Sequence, residues 1–276
     1  MGRILLIGTE RVGFIGAGRV GRGLSLALSR CGYPIAGIAS RKQGDAQAVV
    51  DASDIVFLTV PDDALAATCR SISWKKGRSV VHCSGAAELS VLDAAAQSGA
   101  AVGGFHPLVM FADPEVAARN LAGAAIAVEA QEPLAGSLHA MVKALGARLL
   151  VVPPGARAAY HAGAHYAAAF ACALLAEGVE VWGRIGIPRD DALAALLPLL
   201  RGATDAVAHS GPSRAMAGSI ARGDIETVKR HVDALAALDP KLRDFYCTMA
   251  LKTVPLSLAA GGMTPERAEQ IRKLLL

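Results

Sequence analysis

The chain has 276 residues, of which 53% are apolar although only 4% are aromatic. This length exceeds one average domain and predicts two, with cores built from Ala, Val and Leu. The formal net charge is +4, and Lys and Arg are scattered along the chain. This pattern argues against a nucleic-acid-binding arm and against a polybasic membrane patch.

The cysteines and the apolar runs predict a cytoplasmic protein. The longest apolar run, residues 167–176, is followed at once by Glu177, so we expect no membrane-spanning helix. Glu10 and Arg11 interrupt the first apolar stretch, which argues against a signal peptide and leaves residues 2–9 as a lead-in. The five cysteines have no paired spacing, which is typical of reduced thiols: Cys31, Cys69, Cys83, Cys172 and Cys247.

A glycine motif follows the first clear strand, Val12–Ile15. It reads Gly16-x-Gly18-x-x-Gly21 and leads into an apolar helix pattern. In dinucleotide-binding folds the first glycine permits a tight turn, the second lets a pyrophosphate approach the backbone, and the third lets the helix pack on the sheet. We therefore expect a dinucleotide at this loop, the alternative being an ordinary turn.

Strand and helix patterns alternate through the first half of the chain. Continuous apolar strands separated by helices predict an α/β fold, a Rossmann-like doubly wound parallel sheet covered on both faces. The predicted strands are Val12–Ile15, Ile35–Ala39, Ile55–Val60, Ser79–His82, Ala101–Phe105, Ala125–Val128 and Arg148–Val152. The clearest helix patterns between them are Gly21–Ser29, Leu89–Ala96 and Leu134–Leu145.

One interval is too short for the complete fold. Only residues 42–53 separate the second and third predicted strands, and a single crossover needs about a dozen residues. The spacing predicts one crossover helix over about residues 45–52 and a missing or vestigial third strand of the standard fold. The adenine side of a cofactor site would then be open.

Pro153-Pro154-Gly155 ends this alternation, and everything after it has a helical pattern. We predict a dinucleotide-binding domain over residues 1–155 and a helical substrate or dimerisation domain over residues 156–276. The predicted helices are Ala156–Ile185, Asp190–Gly202, Thr227–Leu238, Pro240–Ala259 and Thr264–Leu276, the last beginning with an N-cap Thr264 and Pro265.

The residues after the second strand bear on cofactor preference. NAD-binding proteins place an acidic residue there for the ribose 2′-hydroxyl. This chain has Ser40-Arg41-Lys42 instead, whose hydroxyl and cations suit a 2′-phosphate. NADP is therefore preferred over NAD, the alternative being a solvated turn.

Polar residues follow three predicted strands, at the sheet edge where ligands bind in such folds. The three runs are Val60-Pro61-Asp62-Asp63, His82-Cys83-Ser84-Gly85 and Phe105-His106-Pro107-Leu108. We expect Ser84 to line a nicotinamide site and His106 to act as a general acid or base near neutral pH. For Asp62 and Asp63 helix capping is the favoured interpretation, for His82 a core histidine with its hydrogen bonds satisfied, and for His106 both interpretations stay open.

Two features of the helical half could also carry chemistry. His161 and His165 lie one turn apart, but no third ligand accompanies them, so we expect no metal site. Arg222 precedes a helix whose N-cap is Asp224, and it could hold a substrate carboxylate or be an ordinary surface arginine.

Together these segments resemble a bacterial family in which an NADP-binding Rossmann-like domain is joined to a helical domain of unknown function, number 2520. More broadly the chain is similar to pyrroline-5-carboxylate reductases and 6-phosphogluconate dehydrogenase-like enzymes, and more loosely to prephenate dehydrogenases. The resemblance rests on residues 12–21, Ser40-Arg41, Val60–Asp63, Cys83–Gly85, His106–Leu108 with Phe111, Tyr160-His161 and Ile220–Val228.

The resemblance implies an NADP-dependent oxidoreductase, in which hydride passes between nicotinamide and a small carbonyl, imine or hydroxy compound. It implies a homodimer, and the composition predicts neither nucleic-acid nor membrane partners. The family usually carries Ser-Asn where this chain has Ala168-Ala169, so a catalytically inactive NADP(H)-binding sensor or scaffold is the alternative. The implied catalytic residues are His106, Ser84, Arg222 and His161, and the implied cofactor contacts are Gly16, Gly18, Arg19, Val20, Gly21, Ser40, Arg41, Val60, Pro61 and Ser84.

Overall fold

A computed structural model describes residues 9–276, so the predicted lead-in lies outside the described residues except for Thr9. Contacts divide the chain into two compact units, one ending at Ala168 and the other spanning Ala169–Leu276. The predicted boundary near residue 155 marks the end of the sheet. The helix that follows the sheet, Arg157–Ala167, belongs to the first unit although it lies after the predicted boundary.

The first unit is an α/β sheet structure. Its described strands are β1 Val12–Ile15, β2 Ile35–Ala39, β3 Ile55–Leu58, β4 Ser79–His82, β5 Ala101–Pro107, β6 Ala125–Ala130 and β7 Arg148–Leu150. Its described helices are α1 Arg19–Arg30, α2 Ala46–Ala52, α3 Leu65–Arg70, α4 Asp93–Gln97, α5 Pro114–Asn120, α6 Leu134–Ala144 and α7 Arg157–Ala167. The strand order is β2-β1-β3-β4-β5-β6-β7, which confirms the Rossmann-like fold class.

The sheet buries both faces because alternate residues of each strand point to opposite sides. On one face Phe14 stacks on Phe57 at 5.3 Å between ring centroids, and Phe57 meets Phe105 edge-on at 5.5 Å. On the other face Ile15 and Leu58 belong to a second buried cluster. These two cores hold the strand ends, and thus the polar residues that follow them, in fixed positions.

Strand β2 lies at one edge of the described sheet. It pairs with β1 in parallel, and β1 pairs on its other side with β3. Helix α2 provides the single crossover from β2 to β3, as the short interval predicts. Its N-cap Asp45 accepts hydrogen bonds from the backbone N–H groups of Gln47 and Ala48.

Strand β6 corrects the prediction of a wholly parallel sheet, since it runs antiparallel to β5. The Leu108 N–H donates to the Ala125 carbonyl, so β6 begins at the edge where β5 ends. In the intervening segment Phe111 packs against Gly23 of α1, and Glu115 of α5 pairs with Arg30 at the end of α1. Because the segment returns to the edge that it left, the next strand runs in the opposite direction.

The second unit is helical: α8 Ala169–Arg184, α9 Arg189–Ser210, α10 Gly218–Ala221, α11 Ile225–Leu238, α12 Pro240–Ala259 and α13 Pro265–Leu275. Its core joins α11, α12 and α13. Asp224 caps α11 by accepting from the Thr227 N–H, and Thr264 caps α13 by accepting from the Arg267 N–H. Both caps agree with the sequence patterns.

Residues 156–185 do not form the single helix that was predicted. The chain leaves the helical conformation at Ala168, with φ −116° and ψ −87°, so that α7 and α8 are separate helices. Taken together, Arg157–Arg184 has the length and apolar composition of a membrane-crossing helix, which corrects the expectation that no segment would. Its first residue, Arg157, is buried and ion-paired to Glu129 on β6.

Candidate cofactor-binding and catalytic site

In the glycine loop between β1 and α1, two glycines are required because a side chain there would clash with other atoms of the protein. Gly16 has φ +118°, and a Cβ there would stand 2.6 Å from the Thr59 carbonyl carbon. A Cβ on Gly21 would collide with the Gly16 carbonyl oxygen. The Thr59 hydroxyl donates to that same oxygen at 2.7 Å. The loop is therefore folded tightly against the end of β3.

Gly18 differs from both of these glycines. Its φ is −73°, which any residue adopts, and a Cβ there would meet no protein atom within 4 Å. It is the N-cap of α1, where backbone N–H groups and the helix dipole favour an anion. Packing within the first unit gives no reason for glycine here, whereas the close approach of a phosphate group to the backbone would.

A cavity of about 780 Å³, here called the glycine-loop cavity, opens beside this loop. Ser40 and Gln43 exchange backbone hydrogen bonds, and the resulting turn carries the exposed Arg41 and Lys42 at the rim. The cavity is lined by Ile15–Gly18, Arg22, Ser40–Gln43, Ala46, Thr59–Pro61, Thr68 and Ser71. Cations from the turn and from α1 therefore face one space next to the glycine loop.

A second cavity of about 600 Å³, the His106 cavity, adjoins the first. The two share Gly18 and Thr59–Pro61, so they form one continuous cleft along the carboxyl edge of the sheet. The His106 cavity is lined by Gly18–Val20, Thr59–Asp62, Cys83, His106, Pro107 and Val109–Ala112. The cleft thus has a cationic end and an end that combines a histidine with apolar side chains.

His106 and Tyr160 form an uncharged hydrogen-bonded pair at the apolar end. The His106 Nδ1 atom lies 2.9 Å from the Tyr160 hydroxyl. Burial lowers the pKa of His106 to about 4, aided by the charges of His161 and Arg157, although Asp62 acts the other way. Burial raises the pKa of Tyr160 to about 12. Near neutral pH both groups are therefore neutral, and the pair can donate or orient a proton.

Ser84 occupies a different position from the one expected of a nicotinamide contact. It lines neither cavity of the described cleft. Its hydroxyl donates to an Asp62 carboxylate oxygen at 2.6 Å and accepts from the N–H groups of Ala86 and Ala87. Ser84 therefore fixes the turn after β4 and orients Asp62. It is Asp62 that lines the His106 cavity, and its carboxylate does not cap a helix.

Arg157 anchors α7 to the sheet and was missed by sequence reasoning. Its side chain is completely buried, with Nη1 3.0 Å from a Glu129 carboxylate oxygen and Nη2 donating to the Ser84 carbonyl at 2.7 Å. A Cβ on Gly104 would stand 3.0 Å from the guanidinium, so glycine in β5 makes room for it. The glycine pair Gly103-Gly104 inside a strand was the available signal. This anchor keeps α7 with the first unit.

His161 lies next to His106 rather than in a cavity wall. Their ring centroids are 5.4 Å apart, and His161 and His165 are 4.9 Å apart. Among residues 9–276 no cluster of three or more potential metal ligands occurs. His161 and His165 therefore form, with His106, a series of ring contacts that runs along α7.

His82 lines neither cavity, and the position of Arg222 is described within the second unit alone. Arg222 lies in the second unit between α10 and α11, so its role as an anion anchor stays a prediction. His82 is fully buried in β4, and neither ring nitrogen has a hydrogen-bond partner among the described residues. Burial lowers the pKa of His82 to about 3, so the ring is a neutral core histidine, but within the described part of the chain it lacks the hydrogen bonds that the prediction gave it.

Comparisons with known proteins agree with this arrangement. Residues 7–107 match the model of a Rossmann-like domain, and residues 124–253 match the model of a domain of unknown function, DUF2520. No curated protein matches the chain in sequence. The matches to domain models therefore cover both units.

Several solved structures share the fold at low sequence identity. A protein from Bacteroides fragilis, provisionally described as an NADP oxidoreductase, is 20% identical with a TM-score of 0.69, over 90% of this chain and 98% of that one. A protein from Thermotoga maritima is 18% identical with a TM-score of 0.72 over the same shares. The 1-pyrroline-5-carboxylate reductase of Streptococcus pyogenes is 13% identical with a TM-score of 0.60, over 96% and 98%. The chain therefore combines a Rossmann-like domain with a DUF2520 domain, in the fold that pyrroline-5-carboxylate reductase shares.

Proposed function

We propose that this protein is an NADP-dependent oxidoreductase that acts on a small carbonyl, imine or hydroxy compound. The observation that carries the proposal is Gly18, a glycine that the protein's own packing does not require, at the N-terminus of α1 and at the junction of two cavities. The naming of the Bacteroides fragilis structure as an NADP oxidoreductase and of the Streptococcus pyogenes structure as a reductase supports it.

The described residues suit a dinucleotide along the cleft. Gly16–Gly18 and the first turn of α1 would hold the pyrophosphate, while Ser40 and Arg41 would hold a 2′-phosphate. Arg19, Val20, Val60 and Pro61 line the passage towards His106. When bound there, the nicotinamide would supply the hydride. Gly21 contributes by letting α1 pack on the loop, and Ser84 by orienting Asp62.

The protein's own chemistry is the handling of one proton. When a hydride adds to carbon, the neighbouring oxygen or nitrogen must gain a proton, and His106, which lines the cavity and pairs with the Tyr160 hydroxyl, would supply it. Val109, Met110 and Phe111 form an apolar wall on the same cavity. We infer a substrate with a carbon body and one polar reacting group.

Gly18→Ala tests the cofactor proposal directly. We expect the variant to fold as the wild type does, since a Cβ there meets nothing within 4 Å, yet to bind NADPH at least about tenfold more weakly. Displaced phosphates lose charge-assisted hydrogen bonds worth about 1.5–3 kcal/mol each. The measurement is quenching or transfer of NADPH fluorescence, with the thermal midpoint recorded in parallel.

The matched control is Gly202→Ala on α9, where a Cβ also meets nothing within 4 Å. It should leave NADPH binding unchanged. If the wild type binds neither NADPH nor NADH at millimolar concentration, the proposal is overturned. If it binds NADPH but oxidises or reduces nothing in a panel of keto, imino and hydroxy acids, the sensor or scaffold alternative is favoured.

Arg41→Ala tests the preference for NADP. Removing one cation from the 2′-phosphate position should weaken NADPH binding by about 10- to 100-fold, the range expected for one charge-assisted hydrogen bond. NADH binding should change by less than about twofold, because it carries no phosphate there. Arg70→Ala, an exposed arginine of α3 that does not line the cavity, is the control. Equal losses for both cofactors would refute the NADP assignment.

We also propose a cytoplasmic homodimer. All five cysteines are free, which accords with a reducing compartment. Within the second unit α8 has no buried residue, and Leu174 on α8 and Leu193, Leu199 and Val207 on α9 are exposed. Exposed apolar side chains on neighbouring helices are typical of an interface between subunits. Light scattering would give the mass in solution.

A further inference from the structure

Three histidine rings form a row that leads away from the His106 cavity. The His106 ring meets the His161 ring edge-on at 5.4 Å, with 80° between the ring planes. The His161 ring meets His165 in the same way at 4.9 Å and 83°, and their Nε2 atoms are 3.4 Å apart. A row of edge-on imidazoles brings nitrogen atoms of successive rings close together.

Gly85 leaves the space in which the first two rings face each other. A Cβ on Gly85 would collide with His161 Nδ1, and it would lie 2.8 Å from His106 Nε2. Both nitrogens therefore border the same small volume. The His161 Nδ1 atom is buried and has no hydrogen-bond partner among the described residues.

The row runs from the interior to the surface. His106 and His161 are half-buried, and His165 is exposed. The charged and titratable groups around His106 come from each packed element: Asp62 after β3, Arg157 and Tyr160 on α7, and His161. Arg157 is neutralised by Glu129, and Asp62 is held by Ser84. Among these groups, the imidazoles of His161 and His165 are the ones that connect His106, through successive ring contacts, to an exposed position.

We propose that His161 and His165 form a proton relay that returns a proton from solvent to His106 after each turnover. The relay rests on the proposed function, since it serves the proton that the substrate gains. In this scheme the Tyr160 hydroxyl, 2.9 Å from His106 Nδ1, donates to that atom, so that the ring proton of neutral His106 is on Nε2. The Nε2 proton passes to the substrate oxygen or nitrogen, breaking one N–H bond and forming one O–H or N–H bond. The Tyr160 hydroxyl proton moves to His106 Nδ1 at the same time, which leaves the negative charge on the Tyr160 oxygen.

The remaining steps restore the starting state. As His161 gives the proton on Nδ1 to His106 Nε2 across the space above Gly85, it takes a proton at Nε2 from His165, and His106 Nδ1 returns its proton to the Tyr160 oxygen. His165 takes a proton from solvent at its other nitrogen. Each imidazole gains one proton for each that it loses, and a half-turn of the His161 and His165 rings returns their protons to the starting nitrogens, so neither charge nor tautomer changes over one cycle. In this scheme His161 and His165 act through His106 and are positioning residues for proton supply.

His165→Gln tests the relay by its rate. We expect kcat to fall about tenfold or more, while KM and the NADPH dissociation constant stay within about twofold, because only proton supply is impaired. Added imidazole buffer should restore much of the loss, whereas a structural defect would not respond to a buffer base. His139→Gln, an exposed histidine on α6, should show neither the loss nor the rescue.

A second readout needs no substrate. In protein labelled with 15N-histidine, the ring nitrogen shifts should show His106 with its proton on Nε2. His165→Gln should shift the His161 signals, because it replaces the ring whose Nε2 lies 3.4 Å from His161 Nε2. Gly85→Ala should shift the His106 and His161 signals because its Cβ enters the space between them.

The relay is overturned if His165→Gln leaves both kcat and the His161 ring nitrogen shifts unchanged, or if the loss of kcat does not respond to imidazole. NADPH binding separates this failure from that of the proposed function. If the wild type binds NADPH and His165→Gln keeps the wild-type kcat and His161 shifts, the relay alone is lost. Protein that binds no dinucleotide would lose the proposed function as well.

Discussion

His106→Ala should lower turnover by about 10²- to 10⁴-fold, the contribution expected of a positioned general acid. The dissociation constant of NADPH should stay within about twofold, because His106 lies at the apolar end of the cleft and does not line the glycine-loop cavity with Ser40–Gln43. The measurement is the initial rate of NADPH oxidation with keto acids, cyclic imines, and ketones supplied with an amine.

The companion variant Tyr160→Phe separates the two members of the pair. It removes only the hydroxyl that lies 2.9 Å from His106 Nδ1, so the ring stays but its tautomer is no longer fixed. We expect a smaller loss than with His106→Ala. His139→Ala serves as the control. An accepted substrate that His106→Ala turns over at the wild-type rate would remove His106 from the mechanism.

Arg157→Met should be the most damaging single change to stability, by about 3–5 kcal/mol, the usual cost of breaking a buried ion pair from one side. The guanidinium is fully buried, and its loss leaves Glu129 and the Ser84 carbonyl without their donor. Urea unfolding followed by the fluorescence of Trp74, a buried residue of the first unit, would report it. The measurement requires a Trp182→Phe background, since the chain has two tryptophans.

A double variant distinguishes the loss of charge pairing from the loss of packing. Adding Glu129→Gln to Arg157→Met removes the stranded carboxylate, so a sizeable part of the lost stability should return. Equal stability of Arg157→Met and the wild type would show that the ion pair does not hold α7 in place. We also expect Arg157→Met to weaken the His106–Tyr160 contact, since Tyr160 lies on the helix that Arg157 anchors.

Sequence patterns predicted those elements whose signal is local. Strands β1, β2 and β4 begin and end where the apolar runs do, and α12 is bounded by its own Pro240. Parallel and antiparallel strands that are buried on both faces have the same apolar pattern, so the direction of β6 could not be predicted. The end of α7 at Ala168 was missed for a similar reason, because neither Gly nor Pro marks it.

In the candidate site, too, features with a local sequence signal could be predicted, and features that depend on distant residues could not. The roles of Gly16 and Gly21 could be predicted because glycine marks positions where a side chain would not fit. In the structure a Cβ on Gly16 would clash with Thr59, and a Cβ on Gly21 would clash with Gly16. The pair of Arg157 with Glu129 joins residues 28 apart in the chain, a pairing that no local pattern encodes. Ser84 was placed correctly at the strand end, but the direction of its hydroxyl depends on Asp62, which follows a different strand.

The edge position of β2 has a practical consequence for the proposed cofactor. No aromatic side chain is among the residues that line the glycine-loop cavity in the described part of the chain. A dinucleotide there would be held at its phosphates, while its purine would rest against small and polar side chains. The purine would then tolerate chemical modification: a fluorescent base analogue or a linker to a chromatography resin could be attached there while the phosphate contacts remain intact.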